Sequence, residues 1–555
     1  MHTQTHLLKN KVRIVTATSL FDGHDASVNI MRRILQSSGA EVIHLGHNRS
    51  AEEIVNCAIQ EDVQAIAVTS YQGGHIEFFK YMFDLLKQKG CSHIKIFGGG
   101  GGTILPAEIE ELHAYGIARI YSPDDGRSMG LQGMINHLLG MADFPLSGTA
   151  PADQEMLAEK NDYKTAQAIS FLENNTEGSE DYRKRLKEVI QNKKTPVLGI
   201  TGTGGAGKSS LADEFIRRYL QDISEKTLAI ISVDPTRKKS GGALLGDRIR
   251  MNSINTPSVY MRSLATRQSN AALSGSIQDA IDVCKAAGYD LIIVETSGIG
   301  QSDSGITAHC DVSLYVMTSE YGASTQLEKI DMLDFADAVA INKFDKKNSE
   351  DALRDVRKQY KRNHQLWDAA DDSIPVFGTI ASQFNNSGMN SLYLELMQLI
   401  GKKTGISFTS SSGLKTGSTE MIRIIPSSRV RYLAEIAENR KEHLKFIEEQ
   451  CSLARKLYQL NGSMSLLQEQ EPAWKTLDTL KNKLEKQLDP NCKAILDGWN
   501  NLIERYRKDK YQYKVRDKLI EQDLYSESLS QLRIPKVALP AFKDWGEILR
   551  WVLTE

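Results

Sequence analysis

The sequence predicts an α/β protein: two parallel, doubly wound units in series, followed by an all-helical region. Three observations carry this. From Val12 to about Leu139, β-branched runs alternate with amphipathic stretches of helical spacing. A second alternation begins at Pro196 and ends near Gly401, and Ser427 to Leu524 is rich in Lys, Glu, Leu and Arg at helical spacing. At 555 residues the chain also exceeds the usual size of a single core.

In the first unit the strands are expected at 12–18, 41–45, 64–69, 93–97 and 118–121, with a helical pattern between every pair. Strands that alternate with helices pair in parallel, and such sheets bind ligands beyond the carboxyl ends of their strands. Residues 143–195 read as a linker: a Pro/Gly/Ser/Ala piece, Pro145 to Pro151, precedes a charged helix around 181–193. The second unit, 196–405, has expected strands at 197–201, 227–233, 291–295, 311–317 and 338–341. A Ser/Thr/Gly/Lys-rich passage, 409–419, leads into the helical region 420–555. Its charge runs, Arg440 to Glu448 and Arg505 to Lys510, interleave both signs and read as solvated faces, and Trp474, Trp499, Tyr506 and Tyr511 read as packing. The stretch from Trp545 to Glu555 reads as a helix with no stop signal, so a truncation or a completing partner chain is expected there.

Composition excludes several classes. With 68 Lys+Arg against 70 Asp+Glu the net charge is −2, and 41% of residues are hydrophobic, so neither disorder nor nucleic-acid binding is favoured. No run approaches about 18 apolar residues, and the polar start lacks an apolar signal region, so neither membrane spanning nor export is expected. The six cysteines show no zinc or C-x-x-C spacing, which points to reduced thiols and the cytoplasm.

Chemistry is expected at the strand ends. After the first strand, Asp22-Gly23-His24 places an imidazole two residues beyond a carboxylate, a pair suited to metal ligation, because the carboxylate holds one ring N–H and frees the other nitrogen. After the third comes Ser70-Tyr71-Gln72-Gly73-Gly74-His75, and after the fourth the run Gly98 to Gly102, more glycine than any turn needs. This set resembles the flavodoxin-like (Rossmann-like) cobalamin-binding domain of the base-off, His-on isomerases and methionine synthase, over about 130 residues. The resemblance implies His24 as lower axial ligand of cobalt and Asp22 as its hydrogen-bond partner, with Ser70, Gly98 and Gly99 around the displaced dimethylbenzimidazole tail. Ser27 and Gln72 stand where that family has Gly and Leu.

In the second unit, strand 197–201 runs into Gly202-Thr203-Gly204-Gly205-Ala206-Gly207-Lys208-Ser209, a complete P-loop before a helix. Backbone N–H groups from Gly205 to Ser209, Ala206 among them, with Gly202 and Ser210 beside them, are expected to cradle phosphates. Lys208 is expected to reach the β- and γ-phosphates, and Ser209 to ligate Mg²⁺. Asn342-Lys343-Phe344-Asp345 after another strand is the guanine-recognition pattern and favours GTP over ATP. Glu295-Thr296 ends a strand where a Mg²⁺-associated carboxylate belongs, and Lys208 and Glu295 are the expected catalytic groups of GTP hydrolysis.

This half is similar to the MeaB-type G-protein chaperones of adenosylcobalamin-dependent mutases. Three stretches carry the similarity: Ser232 to Thr236, Gly241 to Arg250 and Glu295 to Gln301. The similarity, and not spacing, implies that Asp234, Asp247 and Glu295, with Thr296, serve the Mg²⁺ environment and that Arg250 approaches the nucleotide. The order of the two units, together with the helical region from Ile534 to Trp551, resembles the fused isobutyryl-CoA mutase family. No repeated strands follow the second unit, so the substrate barrel, of roughly 250 residues, is not expected in this chain. The resemblance implies adenosylcobalamin, Mg²⁺ and GTP, an acyl-CoA substrate reached only through that barrel, a homodimer or partner mutase subunit, and an adenosyltransferase as cofactor donor. Two alternatives stay open: a GTP-gated cobalamin carrier without isomerase activity, and a plain GTPase in which His24 is a surface residue.

Overall fold

The computed structural model describes residues 5–146, 160–267, 273–298, 304–322, 327–408, 413–414, 417, 431–516 and 518–554. Most of the 145–151 piece, Ile299 to Gln301 of the switch motif, most of 409–419 and the final residue lie outside the described residues. The chain forms two compact units, Met1–Met421 and Ile422–Glu555.

The first unit opens with β1 (Arg13–Ser19), β2 (Glu41–Arg49), β3 (Ala65–Thr69), β4 (Lys95–Gly99) and β5 (Arg119–Tyr121). Helices α1 (Asp25–Ser37), α2 (Ala51–Gln60), α3 (His75–Gln88) and α4 (Pro106–Tyr115) separate them, and α5 (Pro123–Ala142) follows. Every residue of β1 is buried, as expected of a central parallel strand covered on both faces. Ser50 and Glu53 close a capping box on α2, and Ser122 and Asp125 do the same on α5 behind Pro123.

After α6 (Asp162–Glu173) and α7 (Ser179–Ile190) comes the nucleotide half. Its strands are β6 (Val197–Gly202), β7 (Leu228–Asp234), β8 (Ala243–Leu245), β9 (Val259–Ala265), β10 (Leu291–Glu295), β11 (Val312–Thr318), β12 (Ala338–Asn342) and β13 (Val376–Gly378). Seven of these form one parallel sheet, ordered β13-β12-β11-β6-β10-β7-β9, in which β9 and β13 flank the five strands expected from the sequence. The eighth leaves it: β8 pairs in parallel with β2, matching Glu41 to Ala243 and Ile43 to Leu245, and becomes the sixth strand of the first sheet, β5-β4-β3-β1-β2-β8. Ala243 and Leu245 share a buried core with Val15, Ile43 and Val55. Gly242 enters so closely that a Cβ there would stand 2.1 Å from the Gln36 carbonyl oxygen.

Buried charges fill the seam between the halves. Arg13 donates to Glu41 (2.8 Å) and Glu61 (2.7 Å), Arg248 to Glu61 (2.8 Å), Arg262 to Glu173 (3.1 Å) and Arg267 to Glu41 (2.8 Å). Burial opposes the charge on Glu41, but Arg267 and Arg13 outweigh it and hold its carboxyl down at about 2.

The second unit holds helices Tyr432–Met464, Pro472–Glu485, Pro490–Tyr506 and Trp545–Thr554 around Ile447, Cys451, Leu457, Cys492 and Leu549. The expectation of an all-helical region needs correction at 510–535. There β14 (Lys510–Val515) pairs with β15 (Lys518–Asp523), and β16 (Tyr525–Glu527) with β17 (Arg533–Pro535), both antiparallel. Tyr511 and Tyr513 alternate with period two, the strand period, and Tyr513 pairs with Ile520 across the hairpin. Among the described residues no helix is long and apolar enough to cross a membrane.

Candidate functional site

At the carboxyl end of β1 the chain turns so that Asp22 lies buried and His24 precedes α1 with its side chain 70% exposed. Asp22 Oδ1 accepts from the His24 backbone N–H (2.9 Å) and meets His24 Nδ1 at 2.7 Å, while Oδ2 accepts from the Tyr71 N–H (2.6 Å). Burial works against the Asp22 charge, yet the two backbone donors and the imidazole outweigh it and hold its carboxyl below the usual range. An ionised carboxylate only accepts, so Nδ1 carries a proton and Nε2 is the ring nitrogen left to ligate a metal. Tyr71 packs against the ring, with centroids 5.4 Å apart.

Beside this pair lies a cavity of about 280 Å³ at the strand ends, lined by Thr16, Val28, Phe97, Gly98, Gly99 and Leu138 among others. Its walls are largely apolar. A Cβ on Gly100 would fall 1.9 Å from the Ser70 carbonyl oxygen, whereas one on Gly102 would meet nothing within 4 Å. The glycine run therefore mixes close approach with open space. Ser70, expected at the cavity, has its hydroxyl on Ser19 (2.9 Å) and is not among the lining residues. Ser27, which the sequence marked only as a departure from its family, does line the cavity, and its hydroxyl oxygen is buried without a partner. An exposed imidazole held through Nδ1, a glycine-walled apolar slot and an unpartnered hydroxyl fit a cobalamin with its tail displaced.

At the second sheet, β6 ends at Gly202 and α8 (Lys208–Asp222) begins after Gly207, whose φ of +93° is left-handed. A Cβ on Gly202 would stand 1.9 Å from the Val316 carbonyl oxygen, so the loop tolerates no side chain there. Lys208 Nζ donates to the carbonyls of Gly202 (3.1 Å) and Thr203 (3.3 Å), and burial pulls its pKa down although Glu295 and Asp247 oppose the shift. Asn342 donates to the Ala206 carbonyl (2.9 Å) and Lys343 Nζ to the Gly205 carbonyl (2.8 Å), so the base-reading segment braces the phosphate loop. Asp345 is exposed one position past the buried Phe344, and Ser210 lies half-buried in the first turn of α8.

Carboxylates gather below that loop. Ser209 Oγ lies 2.7 Å from Glu295 Oε1 and 3.2 Å from Asp247 Oδ1; Ser232 Oγ donates to Asp247 Oδ2, and the Gly246 N–H donates to Asp234 (3.1 Å). Burial, reinforced by Asp247, pushes Asp234 up to about 8 and Glu295 well above its ordinary value. Glu295 Oε2 is buried without a hydrogen-bond partner. Among the described residues no three His, Cys, Asp or Glu groups stand close enough to enclose a metal by themselves. The Ser209 hydroxyl beside Glu295 and Asp247, with Glu295 Oε2 unpartnered, is the donor set that fits Mg²⁺, which keeps several waters and takes one or two carboxylates plus phosphate oxygens. Arg250 is exposed at the end of the 3-10 turn Asp247–Arg250, and its charge reaches Lys208 and Asp234. Thr296 instead hydrogen-bonds Thr201 (2.8 Å). Sequence reasoning passed over the role of Ser232, which the motif contained but whose contact with Asp247 only the fold reveals.

The fold and the two sites define a B12-binding domain joined in one chain to a MeaB-type GTPase domain. Residues 12–124 match the B12 binding domain model, and residues 165–406 match that of the methylmalonyl Co-A mutase-associated GTPase MeaB. The chain is a homologue of the fused isobutyryl-CoA mutases. It is 56% identical over 556 residues to that of Geobacillus kaustophilus, covering 99% of this chain and 51% of the relative. To that of Cupriavidus metallidurans it is 51% identical over 552 residues (98% and 50%), and to that of Nocardia farcinica 48% over 548 (98% and 50%). The chain thus spans about half the length of the curated relatives it matches.

Proposed function

We propose that this chain binds adenosylcobalamin through His24 and hydrolyses GTP, as the cofactor-holding and gating portion of an isobutyryl-CoA/n-butyryl-CoA mutase. The substrate barrel would belong to the half of its relatives that it does not span. The observation that carries the reading is the Asp22–His24 pair, 2.7 Å apart, with its ring against Tyr71, which lines an apolar slot. Asp22 fixes the tautomer and orients the ring, so that Nε2 is the atom offered to cobalt. Gly98, Gly99 and their neighbours would receive the tail. When bound, the cofactor supplies the cobalt–carbon homolysis on which the skeletal rearrangement depends.

In the nucleotide half, the N–H groups of the loop and of the first turn of α8 would hold the phosphates, and Lys208 would offset their charge. Ser209 would ligate Mg²⁺, with Asp234, Asp247 and Glu295 acting through its waters, and Asp345 would accept from the guanine N1 and N2 hydrogens. The γ-phosphate would order the segment that carries Asp247, and its loss would release that segment, gating cofactor loading from an adenosyltransferase and protecting the loaded state. The partners are a barrel-bearing subunit or a second copy of the chain. A cytoplasmic setting is supported by the six free cysteines, five of them buried.

The test is transfer of adenosylcobalamin from an adenosyltransferase, followed by absorbance, with Mg²⁺·GTP, with a non-hydrolysable analogue and with no nucleotide. Nucleotide-dependent transfer that His24→Ala abolishes supports the reading, and equal transfer in all three conditions overturns the gating. Isobutyryl-CoA turnover on adding a barrel-bearing subunit supports the mutase assignment; cofactor and GTP handling without turnover would leave the carrier function in its place.

A further inference from the structure

The turn that carries Asp247 touches both halves of the first unit, residue by residue. Leu245 ends β8 in the cofactor-domain sheet, and Gly246 donates to Asp234 in the nucleotide half. Asp247 accepts from Ser209 and Ser232. The next side chain goes the other way: Arg248, 5% exposed, donates through Nε to Glu61 (2.8 Å) and through Nη2 to Gln60 (3.0 Å) and the Met261 carbonyl. Ile249 packs over Gly46 so closely that a Cβ on that glycine would meet it at 2.6 Å. Glu61 caps α2 with no exposed surface, and its two oxygens accept from Arg13, Arg248 and both the N–H and hydroxyl of Ser263.

We propose that Glu61, a residue of the cofactor domain, is a positioning residue of the GTPase, acting through Arg248 to hold Asp247 at the nucleotide's cation. The proposal rests on the reading of Asp247 as a cation carboxylate. A carboxylate that acts through metal-bound water must be held to within a fraction of an ångström. The β8 ladder and the packing of Ile249 on Gly46 place the turn, but the Asp247 carboxylate itself meets the short hydroxyl side chains of Ser209 and Ser232, so the adjacent arginine, locked by three acceptors, supplies the rigid anchor beside it. Because that anchor is built on α2, the cation site is incomplete without the cofactor domain. Linkage then requires that whatever moves α2 on cofactor binding alters cation affinity, and that the cation alters cofactor affinity by the same factor.

The experiment uses the full chain and reads binding, with Mn²⁺ titrated in the presence of GDP and free Mn²⁺ measured by electron paramagnetic resonance. Arg248→Met is expected to weaken Mn²⁺ about ten-fold or more, the usual effect of losing an outer support of a metal site. The control is Arg262→Met, which removes an equally buried arginine of the same seam that bonds Ser170 and Glu173 and no residue of the turn. It is expected to lower Tm and leave Mn²⁺ affinity unchanged. Unchanged affinity in Arg248→Met, or an equal loss in both variants, overturns the proposal. Should Arg248→Met not fold, Arg248→Lys decides, since lysine keeps the charge and loses the fork: several-fold weaker Mn²⁺ supports it and wild-type affinity overturns it. Wild-type chain that binds no Mn²⁺ with GDP overturns the cation reading itself, and this proposal with it.

Discussion

A carboxylate two residues before an imidazole marked Asp22 and His24 in the sequence once it was joined by Ser70 and the Gly98 to Gly102 run at two further strand ends, and the spacing makes the contact possible: both sit in one tight loop and meet at 2.7 Å. Asp22→Asn would replace an acceptor-only group by one that also donates. We expect the cofactor affinity to fall about ten-fold while His-on coordination, read from the visible spectrum, is retained; unchanged affinity would show that the ring is oriented by Tyr71 instead. Ser70 was less legible, since whether a hydroxyl lines a cavity or turns to Ser19 depends on a neighbour 51 residues away. His44, on β2, was not legible at all. Burial, supported by the charge of Arg32, pulls its imidazole from 6.5 down to about 4. Its folded pKa lies below the unfolded one, so the chain binds an extra proton on unfolding between those values. The stabilisation is complete above pH 6.5 and is lost as pH falls towards 4, by at most about 3 kcal/mol. Urea midpoints of wild type and His44→Gln at pH 7 and pH 4.5 check this: the wild type should lose more on acidification, and parallel losses would refute it.

Among elements, the long alternating runs were readable because a strand buried on both faces needs continuous β-branched residues and a helix needs its own period. β8 escaped because three residues carry no period, and its partner, β2, lies some two hundred positions earlier. The two hairpins at 510–535 escaped for another reason: lysines and glutamates that suit an exposed helix also suit an exposed hairpin edge. The glycine run was recognised as a unit, but its members are unequal. Gly100→Ala should cost about 1–3 kcal/mol and loosen the slot, because its methyl group would overlap the Ser70 carbonyl. Gly102→Ala should stay within about 0.5 kcal/mol. Thermal unfolding and cobalamin titration of the two variants side by side test the contrast, and equal effects would mean that the run acts through flexibility alone.

For the molecule as a whole, the sequence announced two α/β units and the structure makes them one body from Met1 to Met421. No pattern in a single chain reveals that Arg13 will meet Glu61, or Arg267 meet Glu41, since charge pairs at such separations are fixed by topology and not by spacing. With a shared sheet and a buried ionic seam, the cobalamin and nucleotide halves are expected to unfold together. Urea titration should then abolish cobalamin and GDP binding in one transition, and two resolved midpoints would contradict the shared core. Arg13→Met should shift that single transition by about 1–3 kcal/mol, because it removes one of the two arginines that each of Glu41 and Glu61 pairs with and leaves them to Arg267 and Arg248.

The strand lent by the nucleotide half to the cofactor sheet also bears on how interchangeable the parts of this chain are. By position in the polypeptide, Ala243–Leu245 belongs with the P-loop; by its hydrogen bonds it belongs with the cobalt-binding fold. Grafting the front module onto a foreign GTPase, or a foreign cofactor module onto this one, would therefore leave one ladder edge bare and one strand homeless, whatever the linker between them. The inheritable boundary of the cofactor module is a seam running through a sheet, and no single cut in the gene follows it.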